Sequence, residues 1–575
     1  MDIEKYLDDL RERQDKIRPE GTPSDVVYPI GEITLPEHIE HWAKLYPDRP
    51  AIIFEGLEVT YVELNDLSKR LAGWLEAVNV RRGDRVGVYL PNCPQFIVAM
   101  LAVLRIGAIH VPINPMFQAT ELSYELNDSG AEVVITTGTL LQTLEAVREN
   151  TAVREVLVTT TNEASVPSLA GASTTQTTAS GSITAWAEAT SAAPSQTLTT
   201  DLEAIAALNY TGGTTGLPKG CEHTQRHMLY TAATSAGATR RTADDGYVAL
   251  CYVPIFWIAG EDLGILNPLV LGGTSVLMSR WDPALVLEAV DRYSVSVMVG
   301  TVENYLELLD QPDFDTYDLS SLVDPMAVSF VQKLTPEVRH RWAAAAGPAS
   351  MLREGAYGMT ETHTFDSTPY GLGTDDRDLL SEPVFCGVPV PGTDIAVVSF
   401  ETGEPVPLGE AGEIVVRSPA VMTGYWQKPE ETAKQLRDGW LHTGDNGRLD
   451  EDGCLHYLGR DKDMIKVKGM SVFPAEVEMI LTQHPDVQIA TVVPAEHVTK
   501  GQLPVAFVSI AVDSNAKPST LHAWATENMA TYKVPVIEIV SDFPMTATGK
   551  IRKVDLVARA QELVDADPQT MRPTT

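Results

Sequence analysis

Residues 210–220 read Tyr-Thr-Gly-Gly-Thr-Thr-Gly-Leu-Pro-Lys-Gly, and no other stretch constrains the chain as tightly. Gly212, Gly213 and Gly216 disfavour the interior of a helix or strand, so the segment is a loop whose backbone N–H groups can converge on an anion. Thr211, Thr214 and Thr215 add hydroxyl donors, and Lys219 can set a point charge against phosphate oxygens. The loop therefore reads as a phosphate cradle for a nucleotide. A Walker loop needs Gly directly before its Lys and Ser or Thr directly after it, so that a helix and a Mg2+ ligand follow. Here Pro218 precedes Lys219 and Gly220 follows, which excludes that reading. Gly- and Thr-rich turns also occur as plain surface loops, so the cradle needs partners elsewhere in the chain.

The surrounding sequence predicts an α/β body. Short apolar runs at 85–89, 132–135 and 295–299 have the composition of buried strands, and they alternate with helical stretches at 95–104 and 283–293. At 575 residues and 44% hydrophobic, the chain buries a large core and divides into more than one domain. Residues 159–200 differ: Thr, Ser, Ala and Gly dominate, which predicts a flexible surface excursion inserted ahead of the cradle. A glycosylated stalk shares that composition, but the charged start with Asp8, Asp9, Arg11, Glu12 and Arg13 is expected to be a helix and not a signal peptide. The uncharged stretches at 246–260 and 263–279 are broken by Pro254, Asn267, Pro268, Gly272 and Gly273, so no membrane span is expected. Cys93, Cys221, Cys251, Cys386 and Cys454 are scattered without a C-x-x-C pair, which points to a reducing cytoplasm and to neither disulfide nor zinc.

A formal net charge of −35 argues against nucleic acid as a partner. Such acidity with few lysines suits a protein that stays soluble in concentrated salt, a halophile signature; an acidic mesophilic enzyme is the alternative.

Partners for the cradle follow downstream. Tyr357-Gly358-Met359-Thr360-Glu361-Thr362 puts an aromatic face, a hydroxyl and a carboxylate in one short turn, suited to adenine, phosphate and Mg2+. Trp440-Leu441-His442-Thr443-Gly444-Asp445 offers an acid for a ribose diol, followed by Gly459-Arg460-Asp461-Lys462-Asp463 and by Pro544-Met545-Thr546-Ala547-Thr548-Gly549-Lys550. In this order and spacing the chain resembles the adenylate-forming superfamily, and within it the acyl-CoA synthetases or fatty acid–CoA ligases. The resemblance runs from Val59-Thr60-Tyr61-Val62-Glu63-Leu64 through Leu104-Arg105-Ile106-Gly107-Ala108 to Lys550, with Gly412-Glu413-Ile414 and Gly424-Tyr425-Trp426 between.

The resemblance implies a large multi-subdomain N-terminal domain at 1–459 and a small mobile α+β domain at 460–575. It implies that a carboxylate attacks the α-phosphate of ATP, giving acyl-adenylate and pyrophosphate, after which the CoA thiol displaces AMP. Attack of an anion on an anionic phosphate needs charge neutralisation, which Lys219, Lys550 and Mg2+ on Glu361 would supply. Thr360 would hold the α-phosphate, Tyr357 would stack on adenine, and Asp445 with Arg460 would grip the ribose. Lys462 occupies the hinge position, and Lys468-Gly469-Met470 would line the pantetheine tunnel once the small domain swings. From residue 460 onward 12 Lys and Arg stand against 14 Asp and Glu, so the region that would meet polyanionic ATP and CoA is nearly neutral; a smaller domain with a less acidic surface is the plain alternative.

Two departures from the family pattern stand out. Ser329-Phe330-Val331-Gln332-Lys333-Leu334 replaces a Ser-Gly-Gly-Ala-Pro-Leu loop that lies against adenine and the acyl pocket, and Trp257 stands where many relatives have histidine. Phe256, Trp257 and Phe330 are expected to wall an apolar acyl pocket. His223 and His227, four apart, could face a metal, but a packing role is expected; His38 and His41 read as a solvated helix face. The open alternatives are a CoA-independent acyl-AMP ligase, a short-chain or aryl acid–CoA ligase, and a non-catalytic nucleotide-binding relative. Fatty acids of medium to long chain are the first expectation among acids, by family frequency. Oligomeric state is not legible.

Overall fold

The computed structural model describes residues 3–160, 176–178, 181–211, 217–243, 245–329, 332–355, 357–363, 365–381, 384–468, 470–497, 500–511, 514–546 and 550–566. Among these, strands form four sheets, three in a large N-terminal domain and one in a small C-terminal domain. The first sheet runs Arg353–Glu354, Asp324–Val328, Val297–Thr301, Val248–Cys251, Thr274–Leu277, Pro50–Phe54, Leu57–Thr60, parallel except for its last pair. The second carries the cradle at one edge, in the order Gly220–Thr224, Ile205–Tyr210, Ile109–Pro112, Arg85–Tyr89, Val133–Thr137, Glu155–Thr159, Gly181–Ala185, Gln176–Thr178. Its centre is parallel and both ends are antiparallel. The strands expected at 85–89, 132–135 and 295–299 are present within two residues.

Helix Pro94–Arg105 joins the cores of these two sheets, and all of its residues are buried. Its sequence demands that enclosure, because it is apolar on every face. Pro94 starts it where no intrahelical N–H is needed, and the buried Arg105 is paired with Glu40 at 2.8 Å and Asn65 at 2.9 Å. Among the described residues no helix is long and apolar enough to cross a membrane, and all five cysteines are buried free thiols.

Two expectations change. The excursion predicted over 159–200 is narrower: Gly181–Ala185 pairs in parallel with Glu155–Thr159, and Trp186 behind it is fully buried in the main core. Composition misled because strand Gly181–Ala185 is short and its anchor is the single Trp186. His38 is not solvated either. Helix Leu35–Leu45 turns it inward with Leu35, Ile39 and Trp42, its Nδ1 lies 3.1 Å from the Thr34 carbonyl, and burial pushes its pKa down to about 4.

In the third sheet, strands Trp440–Leu449 and Leu455–Arg460 form an antiparallel pair that sets Asp445 opposite Arg460. The C-terminal sheet packs helices Pro474–Thr482, Pro518–Asn528 and Lys553–Ala566 around two small cores.

Candidate active site

The cradle is tied at its base. Thr211 N–H donates to the Lys219 carbonyl at 2.9 Å, and Lys219 N–H donates to Thr211 Oγ1 at 3.2 Å. Tyr210 and Gly220 pair directly beneath, so the cradle is the turn of a β-hairpin and not a strand-to-helix junction. Gly212, Gly213, Thr214, Thr215 and Gly216 lie outside the described residues. Lys219 Nζ stands 4.0 Å from the centroid of the Tyr425 ring, a favourable cation–π placement.

Tyr425, to which the sequence reading gave no role, connects the cradle to the Tyr357 motif. Trp426 N–H donates to the Gly220 carbonyl at 2.8 Å and Glu222 N–H to the Gly424 carbonyl at 2.9 Å, which fastens this segment along the cradle strand. The Tyr425 hydroxyl then donates to Glu361 Oε1 at 2.8 Å. Lys219, Tyr425 and Glu361 thus form one chain of contacts drawn from three distant segments.

Thr360 and Glu361 sit on the 3-10 turn Thr360–Thr362, which rests on a buried polar layer. His223 Nε2 donates to the Thr360 carbonyl at 2.7 Å, and Thr362 Oγ1 donates to Asp366 Oδ2 at 2.6 Å. The His363 ring lies 4.6 Å from that of His223, and its Nδ1 is 3.4 Å from Asp262. Glu261 accepts a hydrogen bond from Asn209 at 2.9 Å. Burial lowers the pKa of His223 and takes His227 down to about 3, while it raises that of Glu261 to about 7. For His363 burial is outweighed by Asp262 and Glu261, which hold its pKa above the usual value. His223 therefore supports the backbone of the turn, and His227 stands behind it, the two Nδ1 atoms 3.3 Å apart. Among the described residues no group of three His, Cys, Asp or Glu side chains is arranged to hold a metal. Glu261, Asp262 and His363 were not legible in the sequence, since nothing in their spacing shows that the fold brings segments about 100 positions apart together.

At the nucleoside end the Tyr357 hydroxyl donates to Asp445 Oδ2 at 2.7 Å, and Arg460 Nε approaches Asp445 Oδ1 at 2.7 Å. Burial raises the Asp445 pKa and the Arg460 charge opposes it. Tyr357 is buried against Tyr457, ring centroids 5.9 Å apart, with Gly358 leading on into the turn. From the C-terminal domain, the exposed Lys550 comes within electrostatic reach of Arg460; partial desolvation and that charge lower its pKa. Lys550 N–H donates to Thr546 Oγ1 at 3.0 Å, closing the turn that presents it. Lys462 lies on the turn Asp461–Asp463. Lys468, in the left-handed conformation at φ 50°, and the exposed Met470 occupy the hairpin between Ile465–Val467 and Met470–Val472; Gly469 lies outside the described residues.

A cavity of about 420 Å³ begins at Tyr357 and Tyr457 and runs along the first sheet. Trp257, Leu263 and Val299 line it. Phe256 does not: it packs into the main core behind Trp257, ring centroids 5.2 Å apart, because successive side chains of this turn point to opposite sides. Phe330 lies outside the described residues. The departed loop around it is pinned by Glu354, which accepts from Ser329 N–H at 3.0 Å and from Ser329 Oγ at 2.6 Å, and Leu334 N–H donates to Ser329 Oγ at 2.9 Å.

The three N-terminal sheets thus bring together a hairpin ending in Lys219, the Tyr357–Asp445–Arg460 cluster and an apolar cavity. The AMP-binding enzyme family model matches residues 39–426 and the AMP-binding enzyme C-terminal domain model matches residues 476–550. The chain is 33% identical to a long-chain-fatty-acid–CoA ligase of Bacillus subtilis, covering 94% of this chain and 97% of the relative. It is also 33% identical to a feruloyl-CoA synthase of Amycolatopsis, covering 90% and 97%. A crystal structure of an anthranilate CoA ligase with anthranoyl-AMP superposes with a TM-score of 0.77 at 25% identity, covering 92% of this chain and 98% of that one. The chain belongs to the AMP-binding enzyme family and is an AMP-forming acyl-CoA synthetase.

Proposed function

We propose that this protein activates a largely hydrocarbon carboxylic acid, in the first place a fatty acid, as its acyl-adenylate and passes the acyl group to CoA. The observation that carries this reading is the apolar cavity opening beside Tyr357 and the Asp445–Arg460 pair, a site for an acyl group next to a site for a nucleoside. The long-chain-fatty-acid–CoA ligases among the relatives support the same choice.

In this reading the cradle and Lys219 take the terminal phosphates, Thr360 the α-phosphate, Tyr357 the adenine and Asp445 the ribose diol. Lys550 stands between the acid carboxylate and the α-phosphate, where its charge offsets the repulsion between two anions in a water-poor site. A single carboxylate together with substrate phosphates is an ordinary way to hold Mg2+, and Glu361, oriented by Tyr425, fits that part. When bound, the ion would neutralise phosphate charge. Swinging of the C-terminal domain about Lys462 would then bring Lys468, Gly469 and Met470 to the adenylate for the thiol step. We place the protein in a reducing cytoplasm, soluble in high salt through its acidity.

An aryl acid is the second reading, favoured by the feruloyl-CoA synthase among the relatives and by the anthranilate CoA ligase fold match. The test is release of AMP and pyrophosphate from ATP with a pooled acid panel, with and without CoA, at low and high KCl. CoA-dependent AMP formation with a fatty thioester is the expected result. An aryl thioester replaces the first choice with the second. Adenylate without thioester turns the reading to a CoA-independent ligase, and inactivity with every acid at every salt rejects acid activation.

A further inference from the structure

The cavity is apolar along its length but not at its far end. Val297 pairs with Asp324, Val299 with Met326 and Thr301 with Val328, while Met326 also pairs with Arg353. Alternate residues of a strand share a face and stand about 6.6–6.8 Å apart, so the register divides this wall into levels of known depth. Thr301, Val328 and Gly355 form the level next to Tyr357; Val299, Met326 and Arg353 the next; Val297 and Asp324 the deepest. The deepest level lies about 13 Å below the first.

A buried charged pair occupies that depth. Arg353, 6% exposed, directs Nε at 2.9 Å and Nη2 at 2.8 Å to one oxygen of Asp324, itself 3% exposed. Its guanidinium also lies over the Tyr370 ring, 5.3 Å from the centroid, but Nη1 is buried and has no hydrogen-bond partner among the described residues, although the residue lines the cavity. Asn267, from the opposite wall, is in the same condition: its Oδ1 is buried and without a partner. Asn267 Nδ2 donates to Ser235 Oγ at 3.4 Å, and Tyr247 lies within the influence of both Asn267 and Asp324, so the four side chains share one end of the cavity. A guanidinium only donates and an amide oxygen only accepts, and leaving both buried and unmet is unfavourable. A hydroxyl meets both and a carbonyl oxygen meets the first. An anionic tail suits the place less, because Asp324 already balances Arg353 and a further buried charge would go uncompensated.

We infer that this protein selects acids whose end remote from the reacting carboxyl carries a neutral oxygen, a hydroxyl or carbonyl, held by Arg353 with Asn267. This rests on the reading that the cavity holds the acyl group of the activated acid. The test uses pairs of acids of equal length that end in methyl or in hydroxyl, or that carry methylene or carbonyl near the end. Calorimetric binding and pyrophosphate release are measured for each. The wild-type protein is expected to favour the oxygenated member at least tenfold in binding and in kcat/KM. Arg353→Gln combined with Asp324→Asn removes both charges without stranding either, and the ratio between the oxygenated and methyl-terminated acids should fall to about one. Should that variant not fold, the wild-type comparison decides alone. Equal or better handling of the methyl-terminated acids by the wild type overturns the inference and leaves acid activation standing. Absence of binding and turnover with every acid overturns both.

Discussion

The two ends of the cavity are built on opposite principles. At the end proposed for the nucleotide, Lys219, Tyr425 and Glu361 form one set of contacts and Tyr357, Asp445 and Arg460 another, between short segments at strand ends and turns. At the far end, Asp324 and Arg353 begin their strands, Tyr247 precedes one and Asn267 lies on a helix, and strand register sets Arg353 one level above Asp324. On the proposed reading, chemistry common to any acid would sit where loops can be shaped freely, and discrimination between acids where the rigid sheet sets depth. Changes at the first end should therefore slow every acid alike, and changes at the second should reorder acids.

The sharpest test of that division is Lys550→Ala. Removing this charge should lower adenylate formation roughly 10²–10³-fold for all acids and spare thioester formation from supplied acyl-adenylate; a loss that depends on the acid would blur the two ends. Asp445→Asn weakens both the Arg460 pair and the Tyr357 hydrogen bond, and about 2 kcal/mol, roughly thirtyfold in kcat/KM for ATP, is expected without change in acid ranking.

His38 lies in helix Leu35–Leu45, apart from both ends, and so checks that global stability is not being mistaken for a site effect. Its pKa falls from 6.5 to about 4 on burial, so the fold holds it neutral while the unfolded chain takes up a proton. Its contribution is complete above pH 6.5 and is lost as pH falls toward 4. In urea titrations the wild type should lose about 1.4 kcal/mol per pH unit more than His38→Asn across that window. Parallel slopes would contradict this. Tyr425→Phe keeps the ring beneath Lys219 and removes the donor to Glu361; about 1 kcal/mol, roughly a fivefold loss in kcat/KM for ATP, is expected, and full activity would show that Tyr425 only packs.

Much of the nucleotide end could be read from the sequence, because residue type and close spacing carry its chemistry. The 357–362 motif and the exclusion of a Walker loop needed no structure, and the hairpin beneath Lys219 agrees with the latter. Tyr425 stood within a recognised motif, but nothing local says that its hydroxyl meets Glu361, 64 positions away. Phe256 was expected in the cavity wall because it neighbours Trp257, and the turn sends it the other way into the core. Trp186 and His38 were misjudged for a related reason: composition and polarity describe a residue, whereas burial belongs to its surroundings.

By itself the sequence determined the class of chemistry, since the motifs at 210–220, 357–362, 440–445 and 544–550 are short contiguous runs whose order resembles the adenylate-forming family to which the chain belongs. Only the tertiary structure decided which side chains end the cavity. Arg353 meets Asp324 across 29 residues, and Asn267 approaches from a different element. Such meetings follow from strand register and helix packing, which no local pattern encodes.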